Sequence, residues 1–513
     1  MTKKTVSFIL ALALLTLCGC QATPEKGVVT SKNDGAYEAA LQSTAAPIQA
    51  PPQTDASDEP APPSVEPAAG HSLYTDSFQN ANGDMTFSLA VEEPAAGAPL
   101  PVLRVRPMEL TGQQAESIAR ALFGDAPVYE YTDQMTRAEI EQTILEHRQF
   151  ISDWDGMVDY YGGDEVLAQR VKEDFQARIA ALEEAYQTAS DDLEPALCAW
   201  EFHSEDYYMS PDMAASFQDE GHRVIQATAT VDGVPYMLIV CNREAEDYRI
   251  HNVSVFTDDR LVSYEDLKAQ PHGEADPDAL RARVLDMVKA MDMGEWSFVS
   301  DDEAAVSDLA GFDGSVSRFV LTRTYEGVRT TYHNGGLTKS DEYASNYYYE
   351  SLTFTFIGDT LQNMELQGPL QMVETVNANV QVLPFSDILD AAKAQMRMTR
   401  SDYSQMQEQM AAEGIDQAEA DDLEKSTYRV RVDHAELGLS RVRVRDSATD
   451  FYLTPTYTFY GTVAEYDASG QPVTVYYYGP DGTVTDQLPA ETVRELAVIN
   501  AVDGSAIDPG LGY

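Results

Sequence analysis

Cysteine is the residue type to which this sequence most clearly assigns a chemistry. Cys18 and Cys20 directly follow an uncharged, largely apolar run over residues 6–17, and Lys3 and Lys4 precede that run. A basic start, an apolar stretch of about a dozen residues and small residues before a cleavage point form a secretory signal. The run is shorter than the roughly 20 residues that a membrane-spanning helix needs. We therefore expect the chain to be exported and its first segment to be removed.

The segment Leu17-Cys18-Gly19-Cys20 resembles a bacterial lipobox. The resemblance implies that diacylglycerol is joined to Cys20 through a thioether and that a peptidase cuts after the small Gly19. Cleavage before Cys18 would place the bulky Leu17 at the cut, so Cys20 is the predicted lipidation site. Residues 1–19 are then the signal peptide, and the membrane on its extracytoplasmic face is the first expected partner. Ordinary secretion without an anchor is the alternative.

Cys198 and Cys241 are the two cysteines that remain, and each lies in an apolar, strand-like run. A disulfide between them would contribute roughly 4 kcal/mol in the chain-entropy description. Two separate buried thiols are the alternative, because free cysteine packs as a small hydrophobic residue. Neither cysteine belongs to a C-x-x-C motif, which argues against redox or metal chemistry.

Two further sets of residues could hold a metal ion. Three histidines on predicted neighbouring strands could converge on zinc, and a dense run of carboxylates could bind calcium. Unrelated histidines and a solvated acidic loop are the alternatives, and the acid spacing does not fit an EF-hand. We therefore predict no metal site and no cofactor. The residues concerned are His203, His222 and His251, and Asp301, Asp302, Glu303, Asp308 and Asp313.

Tyrosine runs over residues 347–349 and 476–478 could stack on sugar rings. The first run precedes Leu352, Phe354 and Phe356, whose alternation is typical of the buried face of a strand. Packing on a sheet is therefore the favoured interpretation of these aromatic segments.

No known catalytic motif occurs in the sequence. A Walker A loop, a G-x-G-x-x-G fingerprint, H-E-x-x-H and S-x-x-K are all missing, and the run Gly438-Leu-Ser440 lacks the second glycine of a nucleophile elbow. We therefore predict no catalytic residue.

The chain is strongly acidic, with 34 Lys and Arg against 85 Asp and Glu in 513 residues, a net charge of −51. Loss of Lys3 and Lys4 with the signal peptide makes the net charge of the mature chain −53. Such a charge repels nucleic acids, so a nucleic-acid partner is excluded. A length of 513 residues with 43% hydrophobic content predicts two or more domains.

Residues 20–70 are predicted to be the lipidated cysteine and a disordered tether. Seven prolines lie between positions 47 and 67, and no Lys or Arg occurs from position 34 to position 103. Such a composition buries too little apolar surface to offset chain entropy. Fifty residues of coil would span about 40 Å.

Two α+β domains are predicted to follow, over residues 71–270 and 275–513. In the first, Thr111 with Gln114 and Thr136 with Glu139 are capping-box patterns that open helices. A long helix is expected over residues 164–188, and Asp232-Gly233 predicts a hairpin turn. Runs of strands after each helix indicate antiparallel sheets, each preceded by packing helices.

Three C-terminal segments resemble the PepSY type of exported domain, over about residues 380–513. They are AELGLSRVRV (435–444), FYLTPTYTFYG (451–461) and LAVINAVDGSAID (496–508), with Tyr457 where that pattern has tryptophan. The segments CQATPEKGVV (20–29) and NVQVLPFSDIL (379–389) are similar to a family of uncharacterised lipoproteins of Gram-positive anaerobes. These resemblances imply a non-catalytic regulator.

The leading hypothesis is thus a membrane-anchored extracytoplasmic lipoprotein with a binding or regulatory role, whose partner is an envelope protein or a wall polymer. A hydrolase that acts on cell wall or glycan through unassigned carboxylates is the first alternative. A solute-binding lipoprotein of a transporter is the second. The sequence leaves the oligomeric state open.

Overall fold

The computed structural model describes residues 34–45, 72–95, 99–217, 221–244, 249–258, 276–299, 316–333, 348–399, 426–445, 447, 449–478, 484–489 and 492–509. Cys20 lies outside these residues. No helix within these ranges is both long enough and apolar enough to cross a membrane.

The fold class is α+β, which confirms the prediction. The helices are α1 (Asp34–Leu41), α2 (Gly112–Phe123), α3 (Arg137–Ser152), α4 (Trp154–Tyr160), α5 (Glu165–Tyr186), α6 (Pro211–Ala214), α7 (Pro277–Met291) and α8 (Phe385–Met398). The first strands are β1 (Leu73–Gln79), β2 (Met85–Glu92), β3 (Val102–Pro107), β4 (Val128–Glu130), β5 (His203–Ser204), β6 (His222–Val231), β7 (Val234–Glu244), β8 (Arg249–Thr257), β9 (Glu295–Phe298) and β10 (Val316–Tyr325). The remaining strands are β11 (Val328–Arg329), β12 (Ser351–Ile357), β13 (Thr360–Gln367), β14 (Leu370–Asn377), β15 (Thr427–Arg443), β16 (Phe451–Tyr466), β17 (Thr474–Tyr478), β18 (Val484–Pro489) and β19 (Thr492–Asn500).

Both predicted capping boxes are present. The Thr111 hydroxyl accepts from the Gln114 amide while the Gln114 side chain accepts from the Thr111 amide, and Thr136 with Glu139 repeats the arrangement. Each box satisfies two amides that the first helical turn leaves without partners, and such caps contribute about 1 kcal/mol. These local signals fix the starts of α2 and α3.

The long helix α5 begins after Asp164, as predicted, but its apolar stripe is only partly buried. Ile179 and Leu182 are buried, whereas Leu167 is 38% exposed. The reason is that α5 packs mainly on two other helices, α3 and α6, and not on the surface of a sheet.

The central sheet runs in the order β11-β10-β12-β13-β8-β7-β6-β4, with β5 beside β6 and β9 beside β10. Its β6–β7 hairpin turns at Asp232 and Gly233, both with positive φ (51° and 85°), as a two-residue turn of this kind requires. Helices α2 and α7 cover one face and form the largest core with the strands. Leu352, Phe354 and Phe356 of β12 belong to that core, which confirms the packing interpretation for this strand.

The terminal sheet runs in the order β1-β2-β15-β16-β3-β14, and β19 also pairs with β16. Its pairs are antiparallel except for β2 with β15, which is parallel over Met85–Tyr428 to Leu89–Val432. Helix α8 packs against it through Phe385, Ile388 and other buried residues. Strand β15 is continuous through Gly438.

Each sheet draws strands from both predicted domains. The terminal sheet combines strands before residue 107 with strands after residue 370, and the central sheet spans residues 128–367. The predicted boundary at 270–275 therefore does not coincide with the boundary between the sheets. Strands β17 and β18 form a separate two-stranded sheet.

Part of the predicted tether is folded. Residues 34–41 form α1, and Thr44 pairs with Val380 in an isolated antiparallel bridge. Disorder was therefore the wrong prediction for residues 34–45. The prediction rested on the average composition of residues 20–70, which does not show that Tyr37 and Leu41 bury their side chains. The other residues of the predicted tether lie outside the described part.

The two sheets meet at a junction that contains its own apolar cluster. Tyr325 and Val328 come from the central sheet, and Leu439, Phe451 and Leu453 come from the terminal sheet. The chain after β11 crosses this junction, since the Thr331 amide donates to the Leu439 carbonyl oxygen at 2.9 Å. Polar side chains collect beside this crossing.

Candidate functional site

His333 stands at the centre of a polar cluster in the junction. Its Nδ1 lies 2.6 Å from Oε2 of Glu495, and its Nε2 lies 3.2 Å from the hydroxyl oxygen of Ser440. With a neutral ring that carries its proton on Nδ1, the imidazole donates to the carboxylate and accepts from the hydroxyl. We call Ser440, His333 and Glu495 the junction triad.

The three members of the junction triad come from different elements. His333 follows β11 in the crossing segment, Ser440 lies on β15 and Glu495 lies on β19. The crossing segment approaches β15 closely at Gly438, where an added Cβ would lie 2.7 Å from the Thr331 hydroxyl and 3.0 Å from the Arg329 carbonyl oxygen. Only glycine leaves room for this approach. Arg329 and Glu436 form an ion pair beside it.

The junction triad is closed to solvent at two of its three members. Ser440 is 2% exposed and His333 is 5% exposed, whereas the side chain of Glu495 is 20% exposed. A cavity of 10 Å³ adjoins Ser440, a size that holds about one water molecule. Its lining includes Thr330, Thr331, Tyr349, Glu350, Leu439 and Arg441.

Arg441 and the aromatic rings around it form the second part of the site. The Arg441 guanidinium carbon lies 4.5 Å from the ring centroids of both Tyr349 and Phe451, and the guanidinium donates to the Tyr348 carbonyl oxygen at 3.1 Å. The His333 ring lies 4.4 Å from that of Tyr349. Burial raises the pKa of Tyr349 to about 12, so its hydroxyl stays protonated at neutral pH. Cation–π attraction to the two rings stabilises the Arg441 guanidinium in this position.

Glu350 supplies a buried carboxylate on the other side of the cavity. Its Oε2 accepts from the Tyr325 hydroxyl at 2.7 Å, and its Oε1 accepts from the Leu370 amide at 2.9 Å and from Arg323 at 3.2 Å. Burial raises the pKa of Glu350, and the positive charge of Arg323 opposes that shift. Burial, followed by the charge of Glu350, raises the pKa of Tyr325 well above its ordinary value.

The junction triad has the hydrogen-bond order of a catalytic triad, in which an acid orients a histidine that takes a proton from a serine. In such a triad the serine oxygen attacks an acyl carbon. Here an acyl group would have to reach a hydroxyl that is 2% exposed beside a cavity of 10 Å³. In the described conformation the arrangement joins the two sheets and leaves no room for an acyl substrate next to Ser440.

The two remaining cysteines are free thiols in separate places. Cys241 lies on β7 in a small buried cluster, and Cys198 packs at the edge of the core of the central sheet. Of the two possibilities that the sequence left open, the structure has the separate thiols. Burial raises the pKa of Cys241 to about 11 and also raises that of Cys198.

The three histidines considered for zinc have separate partners. His203 lies 3.6 Å from Glu130, His222 lies 2.8 Å from Glu205, and His251 lies 2.9 Å from the Asn242 side chain. No group of three or more potential ligands gathers around a metal position within the described ranges. The acidic run at 301–313, Tyr347 and the side chains of residues 476–478 lie outside the described part.

No local pattern in the sequence predicted the junction triad. His333 is 107 residues from Ser440 and 162 residues from Glu495, so no local spacing relates them. Gly438 was the available signal, since a glycine inside a strand often marks a close backbone approach.

Comparison with known proteins gives no family. No family model matches the chain, and no curated protein is significantly similar to it. A crystal structure of an uncharacterised protein from Eubacterium rectale ATCC 33656 aligns over 83% of this chain and 92% of its own, with 7% identity and a TM-score of 0.33. A TM-score of this size does not establish a shared fold or function.

Proposed function

We propose that this protein is a lipid-anchored component of the extracytoplasmic membrane face with a binding or regulatory role in the envelope. Its location rests on the lipobox at Cys20 and the signal-peptide pattern before it. The partner is an envelope protein or a wall polymer, in keeping with the PepSY-like segments. A net charge of −53 after cleavage opposes a nucleic-acid partner.

The burial of the junction triad is the observation that favours a non-catalytic role. Ser440 and His333 are 2% and 5% exposed, and each makes its hydrogen bonds to groups within the junction. Buried polar groups with partners position neighbouring elements. We therefore assign the triad the task of holding the two sheets together.

Capture from native membranes tests the role. The anchored protein is isolated with its neighbours, and the Cys20→Ala variant serves as the unanchored control. We expect an envelope protein or wall polymer with the native chain and none with the variant. Mass spectrometry of the native N-terminus gives the anchor directly: a diacylglyceryl adduct on Cys20 is expected, and an unmodified N-terminus would contradict the proposed location.

The hydrogen-bond order of the junction triad favours one alternative, a serine hydrolase. A fluorophosphonate probe decides between the two, because it reacts with activated serines and leaves a covalent adduct. We expect no adduct on Ser440 in the folded protein. An adduct that Ser440→Ala and His333→Ala both abolish would replace the binding role with a hydrolytic one.

A further inference from the structure

Residues 34–45, which we call the clasp, dock on one end of the terminal sheet. Tyr37 and Leu41 of α1 are 8% and 1% exposed. They enter an apolar cluster built from five separate parts of the chain, with Val102, Val380, Val442, Val498, Val502 and Ile507. The clasp therefore contributes to the core of the folded body although it lies in the sequence between the predicted anchor and β1.

Hydrogen bonds hold the C-terminal part of the clasp, from Leu41 to Ala45. The Asn377 side chain donates to the carbonyl oxygens of Leu41 (2.9 Å) and Ser43 (3.2 Å). The Gln381 amide donates to Ser43 at 2.8 Å, and the Ala45 amide donates to the Asn379 carbonyl oxygen at 2.9 Å.

A buried amide also holds α1 itself. Asn500 is 0% exposed and donates to the Tyr37 hydroxyl at 3.0 Å. Removal of α1 would expose the apolar cluster to water, so the docked form is favoured over an open groove.

The position of the clasp shortens the connection to the anchor. Only residues 21–33 lie between Cys20 and α1, whereas 51 residues separate Cys20 from the first residue described before β1, Ser72. Coils of 13 and 51 residues have root-mean-square lengths of about 20 Å and about 40 Å. Docking thus halves the typical distance from lipid to folded body.

We propose that the clasp holds the α1-bearing end of the terminal sheet against the lipid bilayer and makes that end the membrane-facing surface of the protein. This inference rests on the lipid anchor proposed above. The central sheet then points away from the bilayer and is the part presented to envelope partners. Release of the clasp would lengthen the connection and remove this orientation.

Energy transfer from the protein to a bilayer measures the arrangement. The lipidated full-length chain is placed in phosphatidylcholine vesicles that carry a headgroup acceptor, and the donor is attached through Gln381→Cys, beside the clasp, or through Asp359→Cys, on the central sheet. Cys198 and Cys241 are replaced by serine in both. We expect stronger transfer from position 381 than from position 359.

The variant Tyr37→Ala/Leu41→Asp releases the clasp. We expect the mean distance of position 381 from the bilayer to rise about twofold, in proportion to the square root of connection length, and the difference between the two positions to shrink. Leu145→Asp, at a side chain that is 50% exposed on α3, is the matched control and should change neither. Equal transfer in the parent and the released variant would overturn the proposal.

Hydrogen exchange separates this proposal from the anchor. In the Cys20→Ala chain, which needs no lipid, the Ala45 and Gln381 amides should exchange slowly, and the released variant should lose that protection while the β6–β7 amides keep theirs. Fast exchange at Ala45 and Gln381 in the otherwise unchanged chain overturns the clasp. A native N-terminus without lipid overturns the anchor and leaves the docking result standing.

Discussion

His333 Nδ1 lies 2.6 Å from Glu495 Oε2, and this contact ties a residue that leaves the central sheet to a strand of the terminal sheet. The second ring nitrogen reaches Ser440 on β15, so one imidazole joins three elements. Because His333 is buried, loss of any one partner leaves a polar group without compensation.

Substitution at the His333–Glu495 pair should destabilise the fold. We expect His333→Ala and Glu495→Ala each to lower the free energy of unfolding by about 1–3 kcal/mol, since each leaves a polar partner unsatisfied. The double variant should lose less than the sum, with a coupling energy of about 0.5–3 kcal/mol. Urea unfolding measures all three, and His434→Ala, at an exposed histidine, is the control. Fully additive losses would show that the pair is not coupled.

Glu350 should make stability depend on pH. Burial raises its folded pKa, so the native state binds a proton that the unfolded chain has released between the two pKa values. Its contribution is complete below the pKa of the unfolded chain and is lost as the pH rises through the folded pKa.

Comparison of the native chain with Glu350→Gln isolates this effect, because glutamine does not ionise. We expect the unfolding free energy of the native chain, minus that of the variant, to fall as the pH rises through this window. Asp286→Asn, at an exposed carboxylate, is the control. A difference that rises with pH would mean that Arg323 outweighs burial and that the folded pKa is lowered.

Gly438→Ala should loosen the junction. The new Cβ would meet the Thr331 hydroxyl at 2.7 Å and the Arg329 carbonyl oxygen at 3.0 Å. We expect a loss of about 1–3 kcal/mol, typical of overpacking, measured by denaturant unfolding. Thr331→Ala should recover part of it, because that change removes the nearer contact. Unchanged stability in Gly438→Ala would show that the crossing segment does not press on β15.

Cys198 and Cys241 should both be free thiols. In denaturant without reductant, we expect both Cys198 and Cys241 to be alkylated. If neither is alkylated, the two are joined in a disulfide. In the folded protein at pH 8, a pKa of about 11 leaves about one Cys241 side chain in a thousand as thiolate. Cys198, which is less buried, should therefore react first. Peptide mapping by mass spectrometry reads both sites.

Local signals in the sequence predicted local structure well. The capping boxes at Thr111 and Thr136 and the turn at Asp232-Gly233 are present because their hydrogen bonds and backbone angles involve residues within three positions of one another. The order of helices followed by runs of strands also predicted the α+β class. Strands β1, β13 and β14 were not predicted, since mixed polar and apolar residues there give a weak alternation.

Long-range pairing could not be predicted. Gly438 lies inside the continuous strand β15, and the segment that packs against it, residues 329–331, is about 100 residues away in the sequence. The clasp was missed because two apolar residues, Tyr37 and Leu41, decide its docking inside a segment whose average composition indicates disorder.

The parallel pair of β2 with β15 has a consequence for biogenesis. During synthesis Phe87 and Leu89 of β2 are made long before their neighbours Val430 and Val432. A product cut short before β15 leaves the second edge of β2 unpaired, and an unpaired strand edge invites aggregation or proteolysis. Completion of the terminal sheet thus requires almost the whole chain.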